Sequence, residues 1–314
     1  METKVSDDNR EKNRKLTTKI VICISLLLII GVGIYGYSVY SSVESTLKQT
    51  HKPLEHEVST NRDAKISFSK QDPISILLLG VDERENDRGR SDSIILLTVN
   101  PKDQSTKMVS IPRDTRTEIA GQDMEDKINH AYSFGGIDGT IETVENFLDI
   151  PVDFYIEVNM KSFEGIVDAV GGVTVNNTLD FTYEGSHFKK GELQLNGAEA
   201  LKYSRMRDQD PRGDFGRQER QRQIIDEVIN EGASVKTLVN YGEVLKIIGE
   251  NLRTNLTFND MKSIQSNYKE ARHNIQQIQI NGHGKEINGV YYYIVSQSER
   301  TEISTMLKQH LNID

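Results

Sequence analysis

The run Ile20–Val43, IVICISLLLIIGVGIYGYSVYSSV, contains no charged residue, and nothing else in the chain constrains its fold so strongly. Its apolar part is long enough to cross a hydrocarbon core of about 30 Å at ~1.5 Å per helical residue. Arg10, Lys12, Arg14, Lys15 and Lys19 precede the run, and few positive charges follow it. The positive-inside bias therefore sets the N-terminus in the cytoplasm and the bulk of the chain outside. A cleavable signal peptide is the competing reading. Against it, the apolar stretch exceeds the usual ~7–15 residues and no small-residue cleavage site follows.

The expected layout is a cytoplasmic tail (1–19), a transmembrane signal-anchor helix (20–43), an extracellular polar stalk (44–72) and one globular domain (73–314). This is a single-pass, type II protein of the cell membrane with its domain extracellular. The net charge of -9 is carried outside the basic tail, and an acidic body argues against nucleic acid as a partner. Cys23, inside the apolar run, is the only cysteine. No intramolecular disulfide and no Cys-based metal site can form.

The body opens with ISILLLGVD, DSIILLTVN and KMVSIPRD, three runs rich in Ile, Leu and Val. Such runs suit strands buried on both faces. Asn100-Pro101-Lys102-Asp103 supplies a turn between the second and third. Helical and strand-like patterns then alternate: a helix near Gly139–Leu148, a strand near Phe154–Val158 and a helix near Lys161–Val170 that Gly171-Gly172 ends. Further helices are expected near 197–204, 217–230 and toward Tyr268, then a strand near 275–280 and a last helix over 298–311. The fold class is α/β, with a mixed central sheet flanked by helices.

An antiparallel meander of the first three strands would gather Asp82, Arg84, Arg90, Asp92 and Arg113 at one sheet edge. Carboxylates and guanidiniums at the ends of apolar strands are costly to bury unless paired. They suit a divalent cation and a polyphosphate, because carboxylate oxygens match Mg²⁺ and arginine forks match phosphate. A solvated loop with ordinary ion pairs is the alternative for the loop taken alone. A second cluster follows, with Arg205, Arg207, Asp208, Asp210, Arg212, Asp214, Arg217, Arg220 and Gln221. At ~100° per residue, Arg217, Gln221, Ile224, Ile225 and Val228 share one helix stripe. A cation at a helix start is unfavourable unless an anion offsets it, so an inward Arg217 and Gln221 imply a bound anion such as phosphate. Arg222 and Glu219 are expected on the solvated face, and Arg220 is open to a structural or a substrate-binding role.

In order, ILLLGVDER, GRSDSIILLTVN, VSIPRDT, KINHAY, VDAVGGVTV, LNGAEALKYSRMR and GDFGRQERQ resemble the LytR-CpsA-Psr family of wall glycopolymer ligases. The resemblance covers Ile76 to about 230. It implies an α-β-α domain with a hydrophobic pocket for a polyprenyl chain. It also implies transfer of an anionic glycopolymer, such as wall teichoic acid, from undecaprenyl pyrophosphate to the muramic acid 6-hydroxyl of peptidoglycan. Residue by residue, Asp82 and Asp92 would hold Mg²⁺, with Mn²⁺ as a substitute. Arg84, Arg90, Arg113, Arg205, Arg207, Arg217, Arg220 and Gln221 would bind the pyrophosphate, with Arg90, Arg113 and Arg217 catalytic. Asp214 is a weaker addition to the site, suited also to cap a helix. The sequence does not choose the proton acceptor, for which a carboxylate such as Asp114 or Asp214 is available, and His130 is expected to be a packing residue. Two other functions compete: a membrane-anchored, lipid-binding regulator or attenuator of transcription, and a polyprenyl-pyrophosphate pyrophosphatase.

Overall fold

The computed structural model describes residues 38, 40–46, 48–55, 59, 61–62, 64–82, 89–231, 246 and 249–313. No helix among the described residues is long and apolar enough to cross a membrane. The expected anchor, 20–43, lies mostly outside them, as do the tail and Arg84. The chain divides into two units, Met1–Ser45 and Thr46–Asp314, and the second is described below.

Its frame is a six-stranded mixed sheet. The three apolar runs form β1 (Ile74–Val81), β2 (Ser91–Asn100) and β3 (Ser105–Ser110), paired as the expected antiparallel meander. Asn100 closes the turn after β2, its side-chain oxygen accepting from the Lys102 and Asp103 N–H groups at 3.1 Å each. Beyond them come the small hairpin β4 (Arg116–Glu118) and β5 (Glu125–Lys127), helix α1 (His130–Leu148), β6 (Phe154–Val158) and α2 (Met160–Ala169). Two ribbons follow, β7 (Val173–Asn177) with β10 (Gly191–Leu195) and β8 (Phe181–Tyr183) with β9 (Ser186–Phe188). Next are α3 (Gly197–Arg205), α4 (Asp214–Glu231), β11 (Leu252–Thr254), α5 (Phe258–Asn267) and β12 (Ile275–Gln279). The hairpin β13 (His283–Ile287) and β14 (Val290–Ile294) precedes α6 (Gln297–Leu311). The sheet order is β11-β6-β1-β2-β3-β12, with β6 parallel to β1 and β12 parallel to β3.

Strand alternation sends side chains to two faces. Leu77, Leu79, Ile94, Leu96 and Val109 pack beneath α1 and α6, against Val144, Phe147, Ile303 and Leu307. Ile74, Ile76, Ile95, Leu97 and Met108 pack on the other face, with Ile225, Ile229, Ile264 and Tyr268 nearby. A third apolar cluster joins α2, α3 and the two ribbons through Val167, Val173, Phe181, Phe188, Tyr203 and Met206. At the end of α2, Gly171 and Gly172 take φ of 88° and 90°, a region costly for other residues. A Cβ on Gly172 would also lie 2.8 Å from the Leu195 carbonyl oxygen.

Two expectations change. Helix α1 begins at His130, well before Gly139, and is interrupted by Gly136 at φ 62°, ψ -144°, so periodicity reveals only its second part. The segment expected to stand off as a stalk instead docks on the domain. Lys52 N–H donates to the Thr254 carbonyl at 2.8 Å, and Phe68 stacks on Phe154 at 5.8 Å. Arg62 grips Asp153 with two bonds of 2.8 and 2.7 Å, both side chains being under a tenth exposed. Breaking one partner of such a buried pair costs about 3–5 kcal/mol. Arg62→Ala is therefore expected to lower the thermal midpoint well beyond the change produced by Lys65→Ala, as read by circular dichroism.

Candidate functional site

Between the sheet and helices α2 to α4 lies a cavity of about 600 Å³. Its deep wall is apolar: Leu78, Ile95, Ile156 and Val158 from the strands, Phe163 and Ile166 from α2, Leu201 from α3, and Ile224, Ile225 and Val228 from α4. Asp82, Asp92, Arg113, Arg205, Arg207, Arg217 and Gln221 share the same lining. The helix stripe read from the sequence is the α4 wall of this cavity, its polar end at the helix start and its apolar end deeper.

A register shift places Asp92. Gly80 pairs with Ser93 but Val81 pairs with Ser91, so Asp92 is the extra residue of a bulge. Strict alternation would group Asp92 with Ile94 and Leu96 beneath α1. The bulge re-aims it, and Asp92 and Ser93 both line the cavity. The Arg90 carbonyl accepts from the N–H groups of Asp82 and Asp92, at 3.2 and 3.1 Å, which ties the two aspartates across adjacent strand ends. Asp92 Oδ1 lies 3.0 Å from Arg113 and accepts from Asn129 Nδ2 at 3.3 Å. Asn129 and Ser93 carry no signal in the sequence, because an uncharged side chain that steadies a charged one leaves no pattern of its own.

Helix α4 is stitched to this corner. Arg217 donates to the Asp92 carbonyl at 3.0 Å and lies 2.8 Å from Asp214. Ser93 Oγ donates to Gln221 Oε1 at 3.1 Å. Asp214 accepts from Gln218 at 2.9 Å, so it occupies the first helical turn, where a carboxylate is favourable. Burial pulls the Arg217 guanidinium below its ordinary value, and the nearby Arg113 adds to this while Asp214 and Asp92 oppose it. Its Nε is buried without a hydrogen-bond partner among the described residues. For Arg113 burial also pulls downward, but Asp92, Asp214 and Asp114 outweigh it and raise the value. The corner thus holds one well-compensated guanidinium and one under-compensated, which is a site for an anion.

Other expected site residues fall differently. Arg205 and Arg207 line the cavity with half-exposed side chains and pair with Glu184 and Asp208, respectively, at 3.3 Å each. The Arg90 side chain is exposed and outside the cavity wall. Arg220 is a correction: it is buried away from the cavity and bonds the Tyr203 carbonyl at 3.1 Å, the Met206 carbonyl, and Asp210 at 2.7 Å. Its guanidinium also sits over the Phe181 ring at 5.6 Å, so no donor face is left for substrate. Arg222, expected in solvent, is buried and donates to Ser110 Oγ and Gln277 Oε1 at 3.0 and 3.2 Å. His130, expected to pack, bonds Asp126 at 2.7 Å. Asp114 is held by Lys127 at 2.6 Å.

Among the described residues no group of three or more His, Cys, Asp or Glu side chains is placed to hold a metal. A pair of carboxylates still fits Mg²⁺, which keeps waters and takes further oxygens from phosphates. Asp210 is drawn down to about 2: burial opposes this, but Arg212 and Arg220 hydrogen bonds overcome it. A Cβ on Gly216 would collide with that carboxylate. Removing one member of this buried pair should unfold the wall and not merely weaken ligand binding. Arg220→Ala and Gly216→Ala are each expected to reduce the denaturation midpoint by more than Arg207→Ala does, in chemical unfolding followed by fluorescence.

The fold recurs in known proteins. The LytR_cpsA_psr family matches residues 37–309. The polyisoprenyl-teichoic acid–peptidoglycan teichoic acid transferase TagU of Bacillus licheniformis is 49% identical over 305 residues, covering 97% of this chain and 99% of the relative. That of Bacillus cereus is 53% identical over 294 residues, covering 93% and 97%. The crystal structure of B. subtilis TagU superposes with a TM-score of 0.62 at 50% identity, covering 76% of this chain and 97% of that one. TagT bound to LIIa-WTA superposes with a TM-score of 0.72 at 33% identity, covering 84% and 100%. With the family spanning nearly all of the described domain and relatives near half identity along almost their full length, this chain belongs to the LytR-CpsA-Psr family.

Proposed function

We propose that this chain is a transferase that moves an anionic glycopolymer of the teichoic acid type from a polyprenyl pyrophosphate carrier to the muramic acid 6-hydroxyl of peptidoglycan. The observation that carries the reading is the union of a deep apolar cavity with a mouth of arginines and aspartates, where the Arg217 Nε is buried without a hydrogen-bond partner among the described residues. The polyprenyl chain lies along Leu78, Ile156, Phe163, Ile225 and Val228, and its pyrophosphate meets Arg113, Arg205, Arg207, Arg217 and Gln221.

The 6-hydroxyl oxygen attacks the polymer-linked phosphorus. A new P–O bond forms, the bridging P–O bond breaks, and polyprenyl phosphate departs with the electron pair. Arg113 and Arg217 are fixed before the reaction by Asp92, Asp214 and the Asp92 carbonyl, so their charge meets that developing on the phosphate oxygens with little reorganisation. Arg205 and Arg207 are less restrained and suit the outer phosphate. Asp82 and Asp92 are the residues that would hold Mg²⁺, which when bound supplies further neutralisation of the leaving oxygen. The hydroxyl proton passes to a carboxylate such as Asp114, beside Arg113, or Asp214, beside Arg217. The apolar run Ile20–Val43 anchors the chain beside its lipid substrate, with the domain on the outer side of the membrane.

The test uses the full-length chain in detergent with lipid-linked polymer, peptidoglycan and Mg²⁺. Transfer is expected to fall by at least ~100-fold in Asp92→Ala and Arg217→Ala, the loss typical of removing a group that stabilises developing charge, and to stop on chelation and resume when Mg²⁺ is restored. Undiminished product from both variants would remove this corner from the chemistry. Release of lipid phosphate with no polymer-linked peptidoglycan would mark a pyrophosphatase.

A further inference from the structure

The hairpin β13–β14 presents three consecutive tyrosines beside the site, and the mechanism above uses none of them. It is fastened to the loop that carries Arg113: the Tyr293 N–H donates to the Asp114 carbonyl at 2.8 Å, and Tyr293 bridges to Thr115. Tyr292, on one face, bonds Asp126 at 3.3 Å and lies beneath the Arg116 guanidinium at 5.8 Å. Tyr291 and Tyr293 share the other face, by strand alternation. Tyr293 is buried and meets the Phe215 ring edge-on at 5.4 Å, and Phe215 follows Asp214 at the start of α4. Tyr291 is therefore turned toward the same helix start that carries Arg217. Burial and the carboxylates of Asp114 and Asp214 raise its hydroxyl above the ordinary value, in keeping with that placement.

Tyr291 is 52% exposed, the most exposed large hydrophobic among the described residues. It is nonetheless held in place. A Cβ on Gly284, across the hairpin, would lie 2.7 Å from the Tyr291 ring, so the ring packs against bare glycine backbone. Cross-strand aromatic cover of a glycine is a recurrent way to fix such a ring. Its remaining surface faces water, on a hairpin fastened to the Arg113–Asp114 loop. The face of the ring turned away from Gly284 is open, and an open aromatic face matches the axial C–H groups of a pyranose. The lipid fills the apolar cavity, so the hydroxyl-bearing substrate must approach from outside, where this ring stands.

We propose that Tyr291 is a stacking platform for a pyranose of the acceptor glycan, positioned by Gly284 and by the fastening of β14 to the Arg113–Asp114 loop. The inference rests on the transferase reading above. It adds where the acceptor binds, which the cavity alone does not specify.

The test measures initial rates of transfer by the full-length chain with Mg²⁺, varying short peptidoglycan glycan strands at saturating lipid-linked donor, and then varying donor at saturating glycan. Tyr291→Ala is expected to raise the acceptor KM roughly five- to ten-fold, in line with the loss of one aromatic contact, and to leave the donor KM and the rate at saturation within about two-fold. Tyr291→Phe, which keeps the ring, should restore the acceptor KM. An unchanged acceptor KM in Tyr291→Ala overturns the proposal, and so does a rise confined to the donor KM, which would assign the ring to the sugars of the lipid-linked polymer. Failure of the wild-type chain to transfer at all would instead sink the underlying function. Because Tyr291 is exposed, the alanine variant should retain the wild-type melting midpoint. If it does not, Tyr291→Leu at the same acceptor KM as Tyr291→Ala would separate loss of the ring from loss of the fold.

Discussion

A guanidinium buried at the start of a helix organises the rest of this domain. Arg217 sits where the backbone dipole of α4 already presents positive charge, and burial makes its cationic form costly. Asp214 and the Asp92 carbonyl recover part of that cost. Neither reaches its Nε, which has no hydrogen-bond partner among the described residues. In the proposed function a polyanion at the mouth would supply what is lacking, so the same feature that weakens the empty site would give affinity for phosphate oxygens. Arg113, fully compensated by Asp92 and its neighbours, holds the opposite side of the corner.

The sheet makes that arrangement rigid. The meander of β1, β2 and β3 brings three strand ends to one edge, and the bulge at Asp92 turns a carboxylate out of the core and into the cavity. The network of Arg220, Asp210 and Met206 then locks the loop between α3 and α4, so that Arg205, Arg207 and Arg217 enter the site from a fixed wall. Charges that look alike in the sequence therefore divide the labour. Arg217 lines the cavity, and Arg220, three residues later, holds the wall that positions it.

Much of this is legible in the order of the amino acids. Long runs of Ile, Leu and Val and an Asn-Pro turn suffice for the meander, and the helical period suffices to align Arg217 and Gln221 with Ile224, Ile225 and Val228. The bulge is not legible, since nothing in GRSDSII marks which residue the register skips. The fates of Arg220 and Arg222 are hidden because their partners, Asp210, Ser110 and Gln277, lie on other elements. Ribbons of three to five residues, β7 to β10, are too short to show alternation, yet they build the second wall. The segment before β1 reads as polar throughout, and its docking depends on a few residues, Arg62, Ile66 and Phe68, whose partners are distant in the chain.

Apolar depth and charged mouth are two halves of one amphipathic ligand site, and each can be weighed separately. The most direct measurement compares calorimetric binding of a polyprenyl pyrophosphate and of the polyprenyl alcohol of equal chain length, in Mg²⁺, to the full-length chain. Several charge-assisted hydrogen bonds to the diphosphate should tighten its binding by at least ~100-fold over the alcohol, with most of that advantage lost in Arg217→Ala. Equal affinity for the two lipids would show that the arginine and aspartate corner does not hold the diphosphate, and would contradict the account.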